Sequence, residues 1–195
     1  MTATTDAVRF RQGAGRLCLD YIRTLRYRGS ANVIEELAGP DDLADWVAQC
    51  GPCDAVSRDT PTSTDIAEAR AFREAVYELI EAARDPGGVT TCSRAARELI
   101  NRMAAHPVPT PSLAPSGHLH WRTDDPVTAT LALIAQDALD LVTSPAISRV
   151  HKCAGPTCGA LFSDNSRPGT RRWCSMGICG NQAKKETLRS KSRQL

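Results

Sequence analysis

Four cysteines near the C-terminus, Cys153, Cys158, Cys174 and Cys179, are spaced C-x4-C-x15-C-x4-C. No other pattern in the chain restricts its folding as tightly. Two close pairs separated by a loop are what one tetrahedral metal site requires, because each pair makes a knuckle and the loop brings the knuckles together. Four soft thiolates suit zinc and close its coordination sphere, leaving no position for water or substrate. The spacing therefore predicts one structural Zn2+ ion whose work is to fold a short segment. Two disulfides or free thiols are the alternatives, and disulfides are rare in reducing compartments. Gly159 and Gly180, each directly after a cysteine, are expected to take positive φ and turn N–H groups toward the thiolates. Arg171, Arg172 and Trp173 make the approach to the second pair cationic and aromatic.

The charge is divided unequally about this site. Overall the 195 residues carry a net +2. Residues 149–195 hold ten Lys or Arg against Asp164 and Glu186, a net +8, whereas residues 1–148 hold 14 basic against 20 acidic groups, a net −6. A zinc ion with four thiolates contributes about −2, which leaves the loaded segment near +6. A basic end on an acidic body is the electrostatic form of a nucleic-acid-binding protein. A solvated tail that only aids solubility is the plainer alternative.

Hydrophobic spacing elsewhere is helical, and only 5% of residues are aromatic, so Ala and Leu must do most of the packing. Helices are expected over 15–26, from Pro40 to Cys50, over 64–84, over 93–105 and from Asp125 to Thr143. Acidic residues or proline open several of them, and Gly or Pro closes them. Residues 54–62 and 107–117 read as loops, and 118–122 as a short strand. A strand over 147–152 with Leu161-Phe162 as its partner would lead into the first knuckle, and residues 182–193 would form a terminal basic helix. The fold class expected is mainly α: a helical domain over residues 1–146, then a small finger over 147–195 built from a hairpin, two knuckles and a helix. No apolar run approaches the ~20 residues that span a membrane. The opening Met1-Thr2-Ala3-Thr4-Thr5-Asp6 lacks the form of a secretory signal, so a reducing cytoplasm is the expected compartment.

Other reactive residues weigh less. Cys50-Gly51-Pro52-Cys53 has the letters of a thioredoxin-type redox centre, but it follows a helix, where the dipole opposes thiolate formation. His118 and His120 alternate on a strand without nearby ligands, and His151 adjoins a metal site that four cysteines already fill. No Ser-His-Asp order, P-loop or dinucleotide turn is visible. The expectation is a protein that is not an enzyme.

The run Arg172-Trp173-Cys174-Ser175, then Cys179-Gly180-Asn181-Gln182 and Lys184, resembles the CGNR-type zinc finger of bacterial proteins. In that family the finger follows a helical domain called ABATE, associated with stress-induced transcriptional regulation. Leu17-Cys18-Leu19-Asp20-Tyr21-Ile22-Arg23-Thr24 is similar to the opening motif of that domain, and Asp42-Leu43-Ala44-Asp45-Trp46 resembles its next landmark. Two residues depart from the pattern: Gln182 stands where the family has its namesake arginine, and Arg23 where it has asparagine.

Charge and resemblance together predict a nucleoid-associated regulator. Its helical domain would sense a small-molecule ligand or form a homodimer, and its finger would contact double-stranded DNA. Arg167, Arg171, Arg172, Lys184, Lys185 and Arg189 would meet phosphates, and Asn181 or Gln182 a base edge. The alternative is a zinc-stabilised module that binds a protein of the transcription machinery without touching DNA.

Overall fold

The computed structural model describes residues 9–53 and 60–192. Met1–Asp6, most of the expected 54–62 loop, and Arg193 at the end of the expected terminal helix lie outside these residues. Six α-helices and three two-stranded antiparallel sheets make up the described part, so the chain is mainly α.

Local chemistry sets the helix ends. Helix α2 (Pro40–Cys50) starts with proline, and the Asp42 carboxylate accepts the Gly39 N–H at 2.6 Å. Helix α3 (Ser63–Arg84) opens with a reciprocal box in which Thr62 Oγ1 accepts the Asp65 N–H and Asp65 accepts the Thr62 N–H. Ser93 caps α4 (Arg94–Ala104), and Asp125 caps α5 (Pro126–Thr143) through the Thr128 N–H at 3.0 Å. These four helices lie within one residue of their expected bounds.

Helix α1 does not. It covers only Leu17–Ile22, and the expected continuation to Arg26 becomes β1 (Leu25–Arg26), paired with β2 (Ile34–Glu35). Long-range ion pairs outweigh the apolar spacing here. Glu35 receives a bidentate pair from buried Arg73 at 2.6 and 2.7 Å, and Arg28 forks onto Glu74 at 2.6 and 2.9 Å. The expected 107–117 loop likewise contains a strand, β3 (Thr110–Leu113), paired with β4 (Leu119–Arg122). Pro111 is exposed in that isolated hairpin, where the sheet edge tolerates a missing N–H.

Helix α5 is the central post and contacts α1, α2, α3 and α4. Its small residues Ala132, Ala135 and Ala138 let neighbours approach, with Ile134 and Leu141 filling the space between. Tyr21, Trp46 and Phe72 form an aromatic cluster beside it, with ring centroids 5.0 and 5.8 Å apart, and the Tyr21 hydroxyl donates to the Ala69 carbonyl. A 3-10 turn, Pro145–Arg149, then spans the expected boundary between the two parts.

The core continues across that turn. Strands β5 (Val150–Lys152) and β6 (Leu161–Ser163) form the finger's hairpin. Leu161 and Phe162 are fully buried, the Ser163 N–H donates to the Ala14 carbonyl at 2.7 Å, and Arg84 Nε donates to the Val150 carbonyl. Among the described residues, no helix is long and apolar enough to cross a membrane.

Candidate metal centre

Each cysteine is delivered by a different piece of local structure. Cys153 follows β5 and donates its N–H to the Ala160 carbonyl, so the hairpin fixes the first ligand. A tight turn, Cys158 N–H to Gly155 carbonyl at 3.1 Å, brings the second beside it. At Gly159 the φ is +61°, and a Cβ would lie 2.9 Å from the Gly29 nitrogen; the knuckle needs glycine both for its turn and for its seat on the helical body. Cys174 sits across from the first knuckle, where the Ala154 N–H donates to the Arg172 carbonyl, and its own N–H donates to Cys153 Sγ at 3.3 Å. Cys179 is carried on a π turn, Met176–Gly180, that runs into α6 (Asn181–Ser192). Gly180 does not take the positive φ expected of it. Its N–H closes that turn on the Ser175 carbonyl.

All four sulfurs are buried and lie within 4.8 Å of one another, with Cys158–Cys174 at 3.6 Å and Cys174–Cys179 at 3.8 Å. Zinc–sulfur bonds of ~2.3 Å in a tetrahedron give sulfur–sulfur edges of about 3.8 Å. A disulfide needs about 2.05 Å, so the alternative of paired bridges is excluded by distance. The electrostatics agree. The Cys158 and Cys174 thiols hydrogen-bond to Cys153 and hold its pKa far down; burial pushes Cys179 up to about 12, and its contacts with Cys153 and Cys158 push Cys174 up as well. Only a cation at the centre lets all four be thiolates at once. This is a closed structural zinc site.

The loop between the pairs is organised by a residue the sequence reading passed over. Buried Asp164 accepts the Ser166 N–H at 2.9 Å and the Arg171 N–H at 2.8 Å. The Ser166 side chain and these N–H groups hold its pKa down, to about 2. The Asp164-Asn165-Ser166 run is the available signal, since Asp accepting from the N–H two residues on is a common turn device. Arg171, expected at a phosphate, is spent inside the finger. Its Nε donates to the Trp173 carbonyl at 2.8 Å, its Nη2 to the Cys174 carbonyl, and its guanidinium lies 4.8 Å over the Phe162 ring.

The remaining cations lie outside. Arg167, Arg172, Lys184, Lys185 and Arg189 are exposed, and Arg172 rests 5.1 Å over Trp173. Asn181, Lys185 and Arg189 recur every four residues, which sets them on one stripe of α6. The Asn181 amide donates to the Gly177 carbonyl, and the exposed Gln182 amide donates to Glu186. Cys50 ends α2, as expected, and burial raises its thiol pKa; Cys53 is buried. His118 and His120 are exposed on the β3–β4 hairpin, outside the cluster of four cysteines, and the His151 ring lies 6.0 Å from that of Phe162, tilted 46° to it.

Comparison with protein families decides the relationship. The model of the ABATE domain, described as "Putative stress-induced transcription regulator", matches residues 15–145, and that of the CGNR zinc finger matches residues 149–192. The chain belongs to the ABATE family. Its C-terminal part is a CGNR zinc finger, with Cys153, Cys158, Cys174 and Cys179 as the zinc ligands. No curated protein matches the chain. In this ABATE protein, then, the finger is seated directly on the helical domain through β6.

Proposed function

We propose that this ABATE protein is a DNA-binding transcriptional regulator, not an enzyme, acting in the cytoplasm at the nucleoid, with the zinc-folded finger as its DNA-contacting end. The observation that carries this is the segregation of charge. Arg167, Arg172, Lys184, Lys185 and Arg189 are exposed on a segment of net +8, while the rest of the chain is net −6. The zinc acts as scaffold, since a segment this short buries too little core to hold itself. Cations of α6 and the loop would neutralise phosphates, and Asn181 or Gln182 would reach a base edge by exchanging its present acceptor, the Gly177 carbonyl or the Glu186 carboxylate. The helical domain (1–146) would serve as sensor or dimerisation unit.

Selection of genomic fragments by the zinc-loaded protein tests this. Enriched fragments should bind with an affinity that falls steeply with salt, as expected for several phosphate contacts. A Cys174→Ser control should lose them. No binding of genomic DNA at low salt by the loaded wild type would remove the reading.

A second reading has its own support. Met176 and Ile178 are 50% and 39% exposed on the π turn, within the basic finger. Such an apolar tip suits a protein partner. Retention of one specific protein after nuclease treatment, with loss in Met176→Ser, would favour that reading over direct DNA contact.

A further inference from the structure

A groove of about 200 Å³ opens on the surface of the helical part where α3, α4 and α5 meet. Its lining is mostly apolar. Leu79, Ile100 and Val142, all buried, form the floor, and Leu139 and Val89 the sides. Val89 is brought there by a turn written in the sequence. Asp85-Pro86-Gly87-Gly88 ends α3, Gly88 takes φ +64°, and a 3-10 turn (Gly88–Thr91) then packs against that helix. Val89 stays 36% exposed at the groove's edge.

Polar groups are few and stand together. Arg97 and Asn101 lie four residues apart on α4, so they share a helix face, and both are exposed and line the groove. Neither side chain has a hydrogen bond or ion pair among the described residues. The local carboxylates are engaged elsewhere. Glu98, next to Arg97, accepts Arg94 Nε at 2.7 Å, and Glu78, next to Leu79, accepts the Ser93 N–H at 2.6 Å. Four residues to either side of Arg97, where a helical ion-pair partner would stand, are Ser93 and Asn101. The Thr90 and Thr143 hydroxyls donate to the Gly87 and Leu139 carbonyls, which leaves Arg97 and Asn101 as the free donors.

An apolar floor with one cation and one amide at its edge has the chemistry of a site for an amphipathic acid. A neutral apolar molecule would leave the cation without an anion, and a small polar anion would leave the floor uncovered. The place is suited to a signal as well. Val142 and Thr143 end α5, which passes through the Pro145–Arg149 turn straight into β5 and the finger. We propose that this groove binds a small apolar carboxylic acid, its carboxylate on Arg97 and Asn101 and its apolar body on Leu79, Ile100 and Val142. This inference rests on the sensor reading of the helical domain, to which it gives a ligand class and a place, and it does not require DNA binding.

Titration of the zinc-loaded protein with octanoate, kept below its micelle concentration and followed by methyl NMR, tests it. Saturable shifts at Leu79, Ile100 and Val142 are the expected result. Octanol, which lacks the charge, should bind at least tenfold more weakly, and acetate should move none of these signals. Arg97→Gln should weaken octanoate at least tenfold, to the level of octanol. The Arg97 side chain makes no hydrogen bond or ion pair among the described residues, so the variant should melt as the wild type does. No saturation by octanoate overturns the proposal, as do shifts confined to other residues or equal affinity in Arg97→Gln. Movement of the same methyl signals on simple dilution would assign the groove to a second copy of the chain and overturn it too. Selection of genomic fragments is read separately: its failure leaves this site standing, and failure here leaves the DNA reading in place.

Discussion

Adjacent arginines can carry opposite duties, and Arg171 and Arg172 do. Arg171 donates to two carbonyls and covers Phe162, whereas Arg172 is exposed over Trp173. Replacing Arg171 by Ala should destabilise the zinc-loaded protein by about 2 kcal/mol, from lost charge-assisted hydrogen bonds and ring contact. Arg172→Ala should shift stability by no more than about 0.5 kcal/mol. Chemical denaturation of the two variants checks this; equal losses would contradict the division. The thiols set a pH dependence. Without a cation, Cys174 and Cys179 hold their protons at neutral pH, so zinc must displace protons to bind. Zinc affinity should therefore rise with pH and fall as acid restores the thiols. A metal indicator read across pH 5 to 8 should show release toward the acid end. Asp164 adds its own share only lower down, because a carboxyl with a depressed pKa loses its contribution as pH falls from the ordinary carboxylate range toward about 2.

Among the elements, those with strong local signals were the legible ones. Helices α2 to α5 carry caps written in adjacent residues, such as Thr62 with Asp65 and Asp125 before Pro126. Asp125→Ala should cost about 1 kcal/mol, measured as a lowered thermal midpoint, with Asp125→Asn largely restoring it. The four zinc ligands were equally legible, since spacing alone brings them together. What escaped depends on partners far along the chain. Nothing near Leu25 and Arg26 says that they leave a helix to pair with Ile34 and Glu35; the tie is Arg73, 38 residues from Glu35. Gly180 departs from the expected positive φ because its turn widens to a π geometry closed on the Ser175 carbonyl, a feature that the Cys-Gly pair does not encode. Arg171 looked like a surface cation because its acceptors are backbone carbonyls, and any residue supplies those.

At the scale of the molecule, finger and helices are not beads on a string. Leu161 and Phe162 belong to the same apolar core as Tyr21 and Trp46, and Arg84, Ala14 and Gly29 all touch the finger's backbone. Zinc binding should therefore stabilise the whole protein by linkage, beyond the finger itself. Thermal melting followed by Trp46 fluorescence, in a Trp121→Phe, Trp173→Phe background, should drop by at least several degrees on chelation. An unchanged midpoint would mean that the helical part stands alone.

The seat of β6 gives zinc a second meaning. A chain stripped of its ion loses the clamp that holds Leu161 and Phe162 inward, and both sit on β6, in the stretch between the ligand pairs. Proteases read such apolar, loosened segments as targets. The supply of zinc in a cell would then govern how long each copy of this protein survives, and its abundance would follow metal status even where no gene responds to it.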